Sequence, residues 1–131
     1  MVLGAGLFAQ QRSRSVWDGV YTREQAERGH VQYDRRCAEC HGDELEGDVV
    51  EHPELAGGNF RDKWNGQTLG DLFERIHRDM PPNSPGSLSR ENCADLVAFL
   101  LNANDFPAGD QPLPRDTPSL REIQFESHRP R

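Results

Sequence analysis

Five consecutive residues, Cys37-Ala38-Glu39-Cys40-His41, constrain this chain more than any other feature. Two cysteines separated by two residues and followed directly by histidine read as a covalent haem attachment site. Each thiol adds to one vinyl group of the porphyrin and leaves a thioether. The two vinyls share one edge of the ring, so the thiols must come from neighbouring turns of backbone. The next side chain, His41, then lies under the iron and can bind it axially.

Other chemistry uses part of the same pattern. A Cys-x-x-Cys pair also serves as a redox disulfide or as half of a zinc site. The redox motif wants a βαβ setting, and no such pattern surrounds these cysteines. A zinc site wants a second ligand pair, whereas His30, His52, His77, His128 and Cys93 are scattered without ligand spacing. Haem is the reading that uses all three motif residues.

A chain of 131 residues is enough for one domain. Only 34% of them are hydrophobic, a modest supply for a core. Small domains with thin cores usually need a staple such as a metal, a disulfide or a cofactor, and a buried porphyrin would supply apolar volume. The formal net charge of −7 argues against nucleic acid as a partner, since no basic patch is available to neutralise phosphates. Lys63 is the only lysine. No stretch approaches the length of a transmembrane helix. Cys93, the third cysteine, falls in a helical apolar pattern and reads as a small buried hydrophobe rather than a redox group.

Along the chain, residues 1–11 are apolar like the end of a secretory leader, although the run is short and no positive charge precedes it. Residues 12–20 read as irregular. Thr22-Arg23-Glu24-Gln25 is a capping box that opens a helix to about Arg36, with Gln25 reaching back to the cap. Ala26, Gly29, Tyr33 and Cys37 share one face of it. A glycine inside a helix costs about 1 kcal/mol relative to alanine, which makes sense where another helix crosses close by.

After His41 an acidic loop runs to Glu51, followed by His52-Pro53-Glu54-Leu55 and two glycines. Proline lacks an N–H but keeps its carbonyl, and a carbonyl beside His41 can take the Nδ1 proton and leave Nε2 for iron. Phe60 and Trp64 read as core, with the Trp64 indole N–H as a candidate donor to a haem propionate. Thr68 caps a second helix that must end near Asp79, because Met80 precedes Pro81 and is pushed out of the α region. Met80 is then free to aim its thioether inward as the sixth ligand. His77, one turn earlier, is its rival. Ser89 caps a third helix to about Asn102, with Cys93, Leu96, Val97, Phe99 and Leu100 forming its apolar stripe. From Asn104 onward prolines forbid a long helix, apart from one short turn at Thr117-Pro118. Leu113, Leu120, Ile123 and Phe125 imply a tail laid over the domain, and Glu126 to Arg131 read as disordered.

The haem motif near the end of a first helix, the downstream Met80-Pro81 and the amphipathic closing helix together resemble the class I c-type cytochromes over about residues 21–103. The resemblance implies an all-α fold, about three main helices packed around one covalently bound haem c, with a Pro-rich C-terminal tail on the surface. It implies that the first and last helices cross where Gly29 and Tyr33 meet Leu96 and Phe99. It also matches Pro53 and Leu55 to the family's Pro-x-Leu segment and Trp64 to its propionate-contacting tryptophan. More closely, Trp17-Asp18-Gly19-Val20-Tyr21-Thr22, Met80-Pro81-Pro82, Phe106-Pro107-Ala108-Gly109 and Leu113-Pro114 are similar to the haem domains associated with pyrroloquinoline-quinone-dependent dehydrogenases. The lysine ring of mitochondrial-type carriers is missing, so the partners should differ.

The expected organisation is a leader remnant or disordered segment over 1–15, a haem domain over 16–103 and an extension over 104–131. The expected function is periplasmic transfer of single electrons by a monomer, with no chemistry on a substrate. Cys37 and Cys40 anchor the ring, and His41 and Met80 are the axial ligands. The expected partners are redox proteins, including a quinoprotein dehydrogenase and a terminal acceptor. Two rival readings stay open. One is an electron-accepting subunit or detached haem domain of such a dehydrogenase. The other is a haem-based gas or ligand sensor, which requires a displaceable Met80.

Overall fold

The computed structural model describes residues 14–130, so residues 1–11, which the sequence reads as the end of a leader, lie outside it. Where irregular backbone is expected, the chain enters as a two-residue strand, β1 (Arg14–Ser15), and a 3-10 turn (Val16–Asp18). Ser15 caps that turn by accepting from the Trp17 N–H (3.2 Å), while Asp18 accepts from the Ser15 N–H (2.7 Å). Strand β1 pairs in parallel with β2 (Ile123–Gln124), so the two ends of the domain are joined.

Six α-helices follow among the described residues: α1 (Arg23–Arg36), α2 (Ala38–His41), α3 (Gly58–Trp64), α4 (Leu69–Asp79), α5 (Arg90–Ala103) and α6 (Thr117–Leu120). Thr22, Thr68 and Ser89 each cap a helix by accepting a backbone N–H through the side chain, as their positions predict. Gln25 departs from its expected role. Its Oε1 accepts from the Leu113 N–H (2.7 Å) and its Nε2 donates to the Leu113 carbonyl (3.3 Å). The N-cap amide can be satisfied by water, whereas the tail's backbone groups are buried and need a protein partner.

The short helix α3 has no start signal in the sequence. Its N-cap is Gly57, which offers no side chain to cap it. What defines it is the four-residue spacing of Phe60 and Trp64, both buried on one face.

Helices α1 and α5 form the most extensive helix pair. They meet where Gly29 lies against the backbone of Asp95 and the Cβ of Phe99, and a Cβ at Gly29 would overlap the Asp95 carbonyl. Tyr33 packs on Phe99 with ring centroids 5.2 Å apart. Arg28 reaches the buried Asp95 carboxylate at 3.3 Å and pins the crossing from its exposed side. Gly29→Val is therefore expected to destabilise by about 2–4 kcal/mol through overpacking, lowering the melting temperature by on the order of 10 °C. Gly29→Ala should also destabilise, although alanine is the better helix former. A thermal melt in which either variant matches the parent would show that the helices do not touch there.

The tail lies on the domain and drives Leu113, Leu120, Ile123 and Phe125 into the same core as α1, α4 and α5. Gly109 passes the end of the 3-10 turn so closely that a side chain there would strike the Gly19 carbonyl. Glu126 and Ser127 are tied down where disorder is expected. The Trp17 indole donates to the Glu126 carbonyl (2.9 Å), and the Ser127 N–H donates to Asn65 Oδ1 (2.8 Å).

Candidate functional site

The motif sits at a change of direction. Helix α1 ends as the Cys37 N–H bonds the Tyr33 carbonyl (2.8 Å), and the single turn α2 carries Cys40 and His41. Tyr33 steadies this turn by donating its hydroxyl to the Gly42 carbonyl at 2.6 Å. Burial raises the Tyr33 phenol well above its ordinary value, so it stays a donor. Cys37 is half-buried, Cys40 is exposed and His41 is buried. Cys37 and Cys40 are free thiols, and burial pushes the Cys37 thiol up to about 11. Among the described residues, no three His, Cys, Asp or Glu side chains gather as a metal site.

His41 Nδ1 lies 2.9 Å from the Pro53 carbonyl. A carbonyl only accepts, so Nδ1 carries a proton and Nε2 is the ring nitrogen left to bind iron. Two features hold Pro53 there. The Leu55 N–H donates to the Leu45 carbonyl (2.9 Å), and Leu45 is buried at a left-handed φ of 60°, uncommon for a residue with a side chain. From the other side, Asn104 donates to the Leu55 carbonyl (3.0 Å) and accepts from the Gly57 N–H (3.0 Å). Asn104 is buried and also bonds the Leu100 carbonyl, so it fastens the Pro53–Leu55 segment to the end of α5. The sequence reading missed it. Its signal is an asparagine directly after an apolar helix, at the C-cap.

These elements enclose one side of a cavity of about 570 Å³. That volume lies within the range of about 300–1,000 Å³ usual for small-molecule and cofactor sites. Cys37, Cys40, His41, Pro53, Leu55, Trp64 and Met80 all line it, so these seven candidate haem-binding residues meet in one place. Phe60, Leu72, Ile76, Leu96 and Leu100 supply apolar walls. Met80 ends α4 in extended backbone (φ −113°, ψ 149°) and is half-buried at the cavity. His77 is not part of the lining; its ring stacks on Phe73 with centroids 6.0 Å apart. Two thiols at the edge, one imidazole nitrogen, one thioether and apolar walls fit a haem in chemistry and in size.

Cys93 lies on α5 and is not among the lining residues. It is fully buried, and burial pushes its thiol up to about 12. Among the described residues, no helix is long and apolar enough to cross a membrane.

Residues 24–100 match the family described as cytochrome c oxidase, cbb3-type, subunit III. Among solved structures, that of the sulfane dehydrogenase SoxCD from Paracoccus pantotrophus is similar in fold. Its TM-score is 0.56 at 24% identity, over 83% of this chain and 61% of that one. The present chain thus spans less than two thirds of the length of that relative. No curated protein sequence matches the chain.

Proposed function

Since the chain belongs to the family of the cytochrome c oxidase, cbb3-type, subunit III, and has the fold of a class I c-type cytochrome, we propose that it is an exported carrier of single electrons with one covalently bound haem c. Haem-based electron transfer follows from the family. The finer assignments are that Cys37 and Cys40 form the thioethers, that His41 and Met80 are the axial ligands, and that the compartment is the periplasm.

The observation that carries this reading is the 2.9 Å bond from His41 Nδ1 to Pro53, made inside the cavity that Met80 also lines. Bound haem iron supplies one-electron chemistry, alternating between ferrous and ferric states. The chain's own residues set the conditions for it. Pro53 fixes the tautomer and orientation of His41. Leu72, Ile76, Leu96 and Leu100 exclude water from the interior of the cavity. Trp64 lines the same cavity and is the candidate donor to a propionate. Two axial side chains from the protein leave no open position for a substrate, which favours a carrier over a catalyst. For the electron donor, the segments 17–22 and 106–109 favour a quinoprotein dehydrogenase.

The test is expression in a host with haem-attachment machinery, followed by acid-acetone extraction. The protein is expected to show the absorption bands of a c-type cytochrome, and the colour is expected to stay with the denatured chain. Colour that moves into the solvent would overturn the thioether assignment.

A further inference from the structure

The loop after His41 presents two valines to solvent. Val49 is 102% exposed and Val50 is 84% exposed. Single exposed apolar residues are ordinary, but two adjacent valines at the tip of a turn are not what turn chemistry selects. The tip is also held firmly. Asp48 Oδ1 accepts from the backbone N–H groups of Val50 (2.9 Å), Glu51 (2.7 Å) and His52 (3.2 Å), while Oδ2 lies 2.7 Å from His52 Nδ1. The Gly47 N–H donates to the His41 carbonyl (2.6 Å), and the Asp48 N–H donates to the His52 carbonyl (2.8 Å). A backbone ordered in advance loses little freedom on binding.

This knuckle stands at the mouth of the cavity, because Glu51 and His52, the next two residues, are part of its lining. Its charge is one-sided. Asp43, Glu44, Glu46, Asp48, Glu51 and Glu54 flank the valines along the chain, and no lysine or arginine occurs between Arg36 and Arg61. Elsewhere in the lining, Arg36 is engaged with the Ser87 hydroxyl and Arg75 with Asp79, which leaves Lys63 as the further cation there.

From this we infer that the Val49–Val50 knuckle and its carboxylates form the docking surface for a redox protein whose own electron-exchange site is an apolar depression ringed by lysine or arginine. The inference deepens the carrier reading and rests on it. Apolar contact at the centre with complementary charge around it gives a short-lived but oriented encounter, which electron exchange needs.

A lysine-rich mitochondrial-type cytochrome c serves as the probe, with both proteins kept ferrous so that no electron moves. In a titration of the ¹⁵N-labelled holoprotein, the Val49, Val50 and Glu51 amides are expected to shift, and binding should weaken steeply with added salt. Val49→Ser with Val50→Ser should weaken binding about tenfold, while the absorption spectrum and melting temperature stay those of the parent. Glu46→Gln with Glu51→Gln should weaken binding and reduce its salt dependence. Silent valine amides, or a serine variant that binds like the parent, would overturn the surface. So would valine shifts that depend on the carrier's own concentration without the probe, since these mean self-association. A sample without the bands of a c-type cytochrome would overturn the carrier reading instead, and the absorption spectrum shows that before any titration.

Discussion

Replacing both Cys37 and Cys40 by serine is expected to yield a chain without bound haem and largely unfolded. The substitution itself is mild: sulfur becomes oxygen at one half-buried and one exposed position. Changes of that kind usually stay within about 0.5 kcal/mol. The effect must therefore come through the lost thioethers. Without the ring, the walls of a cavity of about 570 Å³ have nothing to pack against. At about 24 cal/mol per Å³, such a void costs on the order of 10 kcal/mol. The cavity opens to solvent, so part of that volume carries no penalty. Even half of it is comparable with a whole domain's stability of about 5–15 kcal/mol. Circular dichroism and visible absorption check this together. A colourless variant with the parent's helix content would show that α1, α4 and α5 hold without the cofactor. Haem would then be a passenger rather than the organiser of the core.

Met80→Ala is expected to do the opposite: keep the haem and change its chemistry. The thioether attachments and His41 are untouched, and position 80 lies after the last turn of α4 in extended backbone, so no helix is broken. A thioether is a soft ligand that favours ferrous iron, and its loss lowers the reduction potential. The expected drop is on the order of 100 mV, a fraction of the roughly 0.8 V that axial ligands span. The opened position should accept imidazole or carbon monoxide, whereas the parent should bind carbon monoxide poorly. Redox titration and a carbon monoxide difference spectrum read the two effects. If the alanine variant keeps the parent's potential and spectrum, another side chain is the ligand. His77 would then have to leave its stack on Phe73, and His77→Ala would be the next variant to measure. If the parent itself binds carbon monoxide readily, the sensor reading replaces the carrier.

The features legible in the sequence are those in which neighbouring residues carry their own cause. A hydroxyl before an apolar stripe satisfies a helix's free amides wherever the helix lies, so Thr22, Thr68 and Ser89 mark three starts correctly. Proline restricts the residue before it by local sterics, so Met80 is extended as Pro81 requires. The pentapeptide at Cys37 depends on spacing along the backbone alone, which is why it identifies haem chemistry without any fold. Tertiary structure decided what depends on which distant groups come together. Gln25 looks like half of a capping box but bonds Leu113, because buried backbone in the tail has a stronger need than an amide that water can reach. Helix α3 carries no cap and exists because Phe60 and Trp64 find a core to enter. Ser15, Glu126 and Ser127 gain order from partners more than 60 residues away. Pro53 and Asn104 are joined through Leu55 across 49 residues, and no local pattern announces that join. The motif alone therefore determined which group this chain holds. How His41 is oriented, and which side chains close around it, was left to contacts that form only when the whole chain packs.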